Sequence, residues 1–211
     1  AEVLKRLEAA PPSGAAPAAL GFVFKALDAC VEASAAAQEE FQALGLGKRK
    51  AIIEAMRKAA VENAEPLARL AVEETRMGRA EDKVKKNLLV AAKTPGVECL
   101  ESRAYTGDDG LTLVEWAPFG VVAAIIPSTN PTATVINNSI SILAAGNSVI
   151  FSPHPAATRC SREAMRLLNE AIAGAGGPKN LITTADPASQ EMTKALLAHP
   201  GVAVNLVTGG P

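Results

Sequence analysis

The chain has 211 residues, of which 48% are apolar and 20% charged, so it can bury a globular core and is not a disordered chain. Lys and Arg number 21 against 22 Asp and Glu, which gives a net charge of −1, and only 3% of the residues are aromatic. We therefore expect no nucleic-acid partner, since basic patches and stacking side chains are both lacking.

The cysteines and histidines argue against other classes of site. Cys30, Cys99 and Cys160 are widely spaced and odd in number, which fits neither a disulfide framework nor a zinc site. Two histidines are too few for a histidine-based metal centre. These cysteines and histidines therefore predict no metal and a reducing, cytoplasmic location. No apolar run approaches the length of a membrane span, so we also expect no membrane partner.

The first 18 residues form a segment of their own. Residues 2–9 are amphipathic, with Val3, Leu4 and Leu7 on one side, and residues 10–18 are a linker rich in Pro, Gly and Ala. The pattern is compatible with a terminal helix or with a docking peptide.

A helical region is predicted over residues 19–100. Apolar residues recur at helical spacing between residues 21 and 92, and the sequence TPG at residues 94–96 ends the pattern. The densely charged stretch 73–86 favours a solvated face or an ion network between segments rather than a site.

The hydrophobic period changes after residue 110. Strands are predicted at 111–118, 120–126, 147–151, 180–184 and 202–207, with helices at 132–145, 157–173 and 187–198. Alternating strands and crossover helices predict an α/β fold in which residues 111–211 form a parallel, Rossmann-like sheet.

Three segments are predicted to follow the carboxyl ends of strands, where parallel sheets bind ligands. They are residues 127–131 (PSTNP), 151–155 (FSPHP) and 208–210 (TGG). The usual GxGxxG dinucleotide motif is absent after the first buried strand. Thr208, Gly209 and Gly210 are the best candidates for a phosphate cradle, although an ordinary strand-to-helix turn would use the same glycines.

These segments carry a resemblance to a known family. The sequence is similar to CoA-acylating aldehyde dehydrogenases, above all to the propionaldehyde dehydrogenases of propanediol- and ethanolamine-utilisation microcompartments. The matching segments are EETRMGRAEDKVKKN, KTPGVECL, NLVTGG and the whole of residues 111–157. The resemblance covers nearly the whole chain, more loosely before residue 48, and identifies residues 19–211 as the N-terminal part of the nucleotide-binding domain.

The resemblance implies an NAD-dependent oxidation of a short aldehyde, such as propionaldehyde, to its acyl-CoA through a cysteine thioester. In the family the nucleophilic cysteine follows the TGG segment, so it is expected beyond residue 211, and this chain alone is expected to be inactive. Two alternatives stay open. One is the aldehyde half of a bifunctional aldehyde/alcohol dehydrogenase, and the other is a truncated nucleotide-binding or shell-docking module without catalysis.

The family's functional positions can be transferred residue by residue. Either Thr129 or Asn130 is expected to donate a hydrogen bond to the substrate oxyanion, while a turn-capping role for Asn130 stays open. Hydrolytic relatives commonly carry a Lys at the position of Ser152 and a Glu at the position of Pro155, and both are missing here. Because the carboxylate that would bind the ribose hydroxyls is lacking, NADP is expected as a candidate cofactor beside NAD. The residues expected to contact the cofactor are Ile126, Pro127, Ser128, Thr129, Ser152, Pro153, His154, Pro155, Thr208, Gly209 and Gly210.

The expected partners follow from the same resemblance. They are a short aldehyde, CoA as co-substrate, and further copies of the chain in a homodimer or a higher homo-oligomer. The resemblance also favours the docking interpretation of residues 2–9, with a shell protein as partner and a place inside a bacterial microcompartment as the alternative to free cytoplasm.

Overall fold

The computed structural model describes residues 21–209. The predicted amphipathic helix at residues 2–9, the linker at 10–18 and the predicted cofactor contact Gly210 lie outside the described residues. No helix between residues 21 and 209 has the length and apolarity that a membrane crossing requires.

Four consecutive helices are followed by a hairpin and then, from residue 121 onward, by alternating strands and helices. The helices are α1 (Leu27–Gln42), α2 (Leu46–Glu62), α3 (Ala64–Thr75), α4 (Ala80–Lys93), α5 (Pro131–Ala144), α6 (Thr158–Gly174) and α7 (Gln190–Leu197). The strands are β1 (Val23–Phe24), β2 (Arg103–Gly107), β3 (Gly110–Val114), β4 (Val121–Ile126), β5 (Ser148–Pro153), β6 (Ile182–Ala185) and β7 (Val204–Val207).

Five strands form a parallel sheet in the order β1-β6-β5-β4-β7. Val122 lies opposite Val149 on one side and Val204 on the other, and Val149 lies opposite Ile182. The chain first builds outward from β4 through β5 to β6, and then returns through α7 to place β7 on the other side of β4. This confirms the predicted α/β fold and puts a topological switch point between β4 and β7.

Strand β4 is buried because helices cover both faces of the sheet. Val122 and Ile126 join the larger core cluster, which includes residues of α2, α5 and α6. Val121 and Ala123, which point the other way, join a smaller cluster with Cys30 of α1 and with residues of α7. A continuous apolar run is the expected sequence of a strand covered in this way.

The helical prediction for residues 21–92 is wrong at its beginning. Val23 and Phe24 form the edge strand β1, and Val23 lies opposite Thr184 of β6. A two-residue strand is too short to produce a period in the sequence. Its pairing partner, moreover, is about 160 residues further along the chain.

The prediction that residues 111–118 open the parallel sheet is also wrong. Strands β2 and β3 pair with each other in a separate antiparallel hairpin, all of whose residues are exposed. The parallel sheet therefore begins at β4. Alternation along a strand reports its extended geometry and its two different faces, but not the sheet to which it belongs.

Asn147, just before β5, links the start of β5 to the start of β4 through side-chain hydrogen bonds. Its buried Oδ1 accepts hydrogen bonds from the N–H groups of Phe119, at 2.6 Å, and Gly120, at 3.0 Å. Gly146, just before it, ends the turn after α5 with a φ of +85°, a conformation that favours glycine. One amide thus fixes where the central strand starts.

Candidate functional site

The carboxyl ends of β4, β5 and β7 meet at one edge of the sheet. The His154 N–H donates to the Ile126 carbonyl at 3.0 Å, which joins the segment after β5 to the end of β4. On the other side, a Cβ added to Gly209 would lie 3.2 Å from Pro127 Cβ, and Gly209 has a φ of +106°. The structure thus brings residues 127–131, 152–155 and 208–209 together at one edge of the sheet, and we call this edge the crevice.

Glycine at position 209 is required by this geometry. A side chain there would strain the backbone and crowd Pro127, whereas glycine leaves the exposed peptide open to a close ligand.

The loop after β4 is tied down by its own helix. The Asn130 carbonyl accepts the N–H of Thr134 at 3.0 Å and its hydroxyl at 2.8 Å, while Pro131 occupies the first helical position. The Asn130 side chain makes no capping hydrogen bond to α5. Its Oδ1 instead accepts from Lys86 Nζ at 3.0 Å, so the side chain does not cap the turn.

A second lysine contacts the same loop from α4. Lys83 is only 5% exposed, and its Nζ donates to the Thr129 carbonyl at 2.5 Å. Burial lowers the pKa of the Lys83 ammonium, and the charge of Lys86 lowers it further. The expectation that residues 73–86 form only a solvated face or an ion network is wrong for Lys83. No sequence signal separates Lys83 from its neighbours, since Lys86, three residues further on and on the same helix face, is exposed.

The segment after β5 is arranged differently. Ser152 is buried, and its Oγ shares a 2.7 Å hydrogen bond with Thr193 Oγ1 of α7. His154 and Pro155 are exposed, and His154 Nδ1 accepts the N–H of Ala156 at 3.1 Å. No carboxylate between residues 21 and 209 contacts His154, so this ring shapes the turn and has no orienting partner for acid–base work.

Helix α6 begins just beyond that turn, and its N-terminus already holds an anion. Glu74 of α3 accepts the N–H of Arg159 at 2.8 Å with one oxygen and that of Cys160 at 2.7 Å with the other. The neighbouring Glu73 pairs with the Arg159 guanidinium at 2.7 Å. Because a carboxylate fills the end of α6, this helix N-terminus is not open to an anionic ligand.

The described chain has two buried cysteines, which are poor nucleophiles, and one exposed cysteine on a separate turn. Burial, together with Glu74, raises the pKa of Cys160 to about 12, and burial also raises the pKa of Cys30. Cys99 is exposed, on a short 3-10 turn at Val97–Cys99. In residues 21–209 no three His, Cys, Asp or Glu side chains cluster as metal ligands.

The sheet order, with its switch point between β4 and β7, defines the class of doubly wound α/β domains. Within that class, the model of the aldehyde dehydrogenase family matches residues 24–211, and the chain belongs to this family.

The most similar relatives include enzymes that act on short aldehydes. The acetylating acetaldehyde dehydrogenase EutE of Escherichia coli K12 is 50% identical over 208 residues, which are 99% of this chain and 44% of the relative. A solved Rhodopseudomonas palustris propionaldehyde dehydrogenase, with bound CoA and an acylated cysteine, has a TM-score of 0.88 and 47% identity. That match covers 90% of this chain and 44% of the other.

A third relative comes from a microcompartment. The propionaldehyde dehydrogenase of the Clostridium phytofermentans fucose-utilisation microcompartment has a TM-score of 0.87 and 45% identity, over 90% of this chain and 44% of its own. The chain therefore spans less than half the length of these relatives.

Proposed function

We propose that the complete subunit carrying this chain oxidises a short aliphatic aldehyde with NAD or NADP and transfers the acyl group to CoA. The observation that carries the proposal is the 50% identity to an acetylating acetaldehyde dehydrogenase along almost all of this chain. The propionaldehyde dehydrogenase structures, similar over nine-tenths of the chain, support the same reaction class.

The crevice residues have distinct parts in this proposal. Thr208 and Gly209 receive the cofactor pyrophosphate, and residues 152–155 lie along its adenosine ribose. Residues 126–130 flank the nicotinamide, where Thr129 or Asn130 donates a hydrogen bond to the aldehyde oxygen. The bound cofactor supplies the hydride acceptor. No carboxylate stands in residues 152–155 to hold ribose hydroxyls, so both NAD and NADP are candidates.

The nucleophile belongs outside this chain. A thiol must ionise to attack an aldehyde, and the raised pKa values of Cys30 and Cys160 keep both neutral near pH 7. Neither is therefore a candidate, and the exposed Cys99 lies on the short turn after α4, which packs against α2.

The test combines intact mass with an activity assay of the complete subunit and of the 211-residue chain. We expect reduced cofactor to form from propionaldehyde only when CoA is present, and only with the complete subunit. A triple variant, Cys30→Ala with Cys99→Ala and Cys160→Ala, is the matched control and should keep the activity. Turnover by the short chain, or loss of activity in the triple variant, would contradict the assignment of the nucleophile. A complete subunit without CoA-dependent turnover would contradict the proposed reaction.

We also propose that residues 2–9 attach the protein to a microcompartment shell and that the subunits form homo-oligomers. The amphipathic pattern of residues 2–9 and the microcompartment origin of one relative support the attachment. Residues 1–18 fused to a fluorescent protein should co-localise with co-expressed shells, and the fusion carrying Leu4→Glu and Leu7→Glu should not. Light scattering of the complete subunit measures the oligomer, and a monomer would contradict that part.

A further inference from the structure

Two lysines of α4 contact two successive residues of the crevice loop. Lys83 Nζ lies 2.5 Å from the Thr129 carbonyl oxygen, and Lys86 Nζ lies 3.0 Å from Asn130 Oδ1. Neither ammonium pairs with a carboxylate within the described range of the chain. Burying a lysine beside a second cation costs free energy, so a structural reason for this pair is required.

The Lys83 contact fixes the orientation of one peptide plane. In a trans peptide the C=O and the N–H point in opposite directions. Because the Thr129 carbonyl points at Lys83, the N–H of Asn130 points away from α4. Across residues 21–209 that N–H has no acceptor, and Thr129 itself is exposed.

The Lys86 contact fixes the orientation of one side-chain amide. A lysine ammonium only donates, so the amide atom it meets has to be the oxygen. The Nδ2 of Asn130 is then the end that is turned away from Lys86, and it donates to no acceptor in the described part of the molecule. A cation on the oxygen also polarises the amide and strengthens its N–H groups as donors.

We propose that Lys83 and Lys86 are positioning residues that present the backbone N–H and the Nδ2 of Asn130 as two preorganised donors for the aldehyde-derived oxyanion. The inference rests on the proposed function and selects Asn130 over Thr129 as the side-chain donor. Donors that are already oriented need no reorganisation when the negative charge develops, which is where such sites gain most of their effect.

The test uses the complete subunit with Lys83→Met, Lys86→Met and Lys86→Arg, and with Lys85→Met as the matched control. Lys85 lies on the same helix, is exposed and makes no hydrogen bond in the described structure. We expect both methionine variants at positions 83 and 86 to lower kcat by about tenfold or more, with the aldehyde KM and the calorimetric cofactor Kd changed by less than about twofold. Lys86→Arg should restore most of the kcat, and Lys85→Met should match the wild type.

A second measurement does not depend on turnover. Hydrogen exchange by mass spectrometry, on the cofactor-free subunit, should show faster exchange in residues 127–134 for Lys83→Met and Lys86→Met than for Lys85→Met. Lys86 is exposed, so its variants report even if Lys83→Met does not fold.

The two failures are distinguishable. If the wild type lacks CoA-dependent turnover, the proposed reaction is refuted. The positioning role is then tested only by the hydrogen-exchange rates of residues 127–134. If the wild type turns over and both methionine variants keep their kcat within about twofold, the positioning role is refuted. Exchange rates equal to those of Lys85→Met would refute it as well.

Discussion

Replacing Glu74 by alanine removes the cap of a helix that begins 84 residues further along the chain. The N–H groups of Arg159 and Cys160 occupy the second and third positions of α6, where an N-cap side chain ordinarily accepts. Ala157 stands at the N-cap position and has no side-chain acceptor. Glu74 therefore does the work of a cap residue from α3, and nothing local replaces it.

The expected loss can be estimated from these contacts. Removing a helix cap costs about 1 kcal/mol. The carboxylate's interaction with the helix dipole adds about 0.3–1 kcal/mol. A part-buried Cys160 N–H left without a partner brings the total to about 2–3 kcal/mol. For a chain of this length the midpoint of thermal unfolding should fall by about 5–10 °C.

Circular dichroism at 222 nm, followed through thermal unfolding, measures the effect of Glu74→Ala. Glu73→Ala is the matched control, because Glu73 is exposed and contacts only the Arg159 side chain. We expect no measurable change in its midpoint. Glu74→Gln keeps one acceptor oxygen and should lie between the wild type and Glu74→Ala. A Glu74→Ala protein with the same unfolding midpoint as the wild type, or as Glu73→Ala, would refute the capping role.

Three further predictions concern thiols, the central strand and acid. At pH 8 iodoacetamide should label Cys99 quickly. It should spare Cys160, whose pKa is raised to about 12, and Cys30, which is buried. Equal labelling of all three cysteines in the native protein, measured by peptide mass spectrometry, would contradict this. Asn147→Ala should lower the free energy of unfolding in urea by about 2–4 kcal/mol, since two N–H groups lose their acceptor, while Asn147→Asp keeps an acceptor and loses less; equal losses would contradict it. Lys25 and Arg162 lower the pKa of Asp186, so the stability it contributes is present above pH 3.8 and is lost as the pH falls through the lowered pKa; Asp186→Asn should make the acid limb of the stability profile less steep, and an unchanged slope would contradict it.

The elements with strong local signals were predictable. The continuous apolar run of residues 120–126 predicts β4, which spans Val121–Ile126, and the helix predicted at 157–173 is α6, at Thr158–Gly174. Both are marked by composition and by glycines at their ends. The place of β1 and of the β2–β3 hairpin was not predictable in this way, because strand pairing depends on partners that no local window contains.

The same distinction applies to the crevice. Its three segments follow from one topological rule, that parallel strands present their carboxyl ends at one edge. The contacts of Lys83 and Glu74 do not follow from any local rule. The Lys83 contact joins residues 46 positions apart, and the Glu74 contacts join residues at least 85 positions apart. In the sequence, both residues belong to a charged stretch and have the same residue types as their exposed neighbours.

The connection between α3 and α4 inherits a constraint from the elements it joins. Glu74 before it is docked on α6, and Lys83 after it is docked on the loop of residues 127–131. Exposed turns usually accept insertions and deletions. Here one residue added within the first turn of α4 would rotate Lys83 by about 100° and shift it by about 1.5 Å. The stretch from Glu74 to Lys83 is therefore held by contacts at both of its ends, and natural or engineered length changes should be sought elsewhere, such as at the exposed turn between β2 and β3.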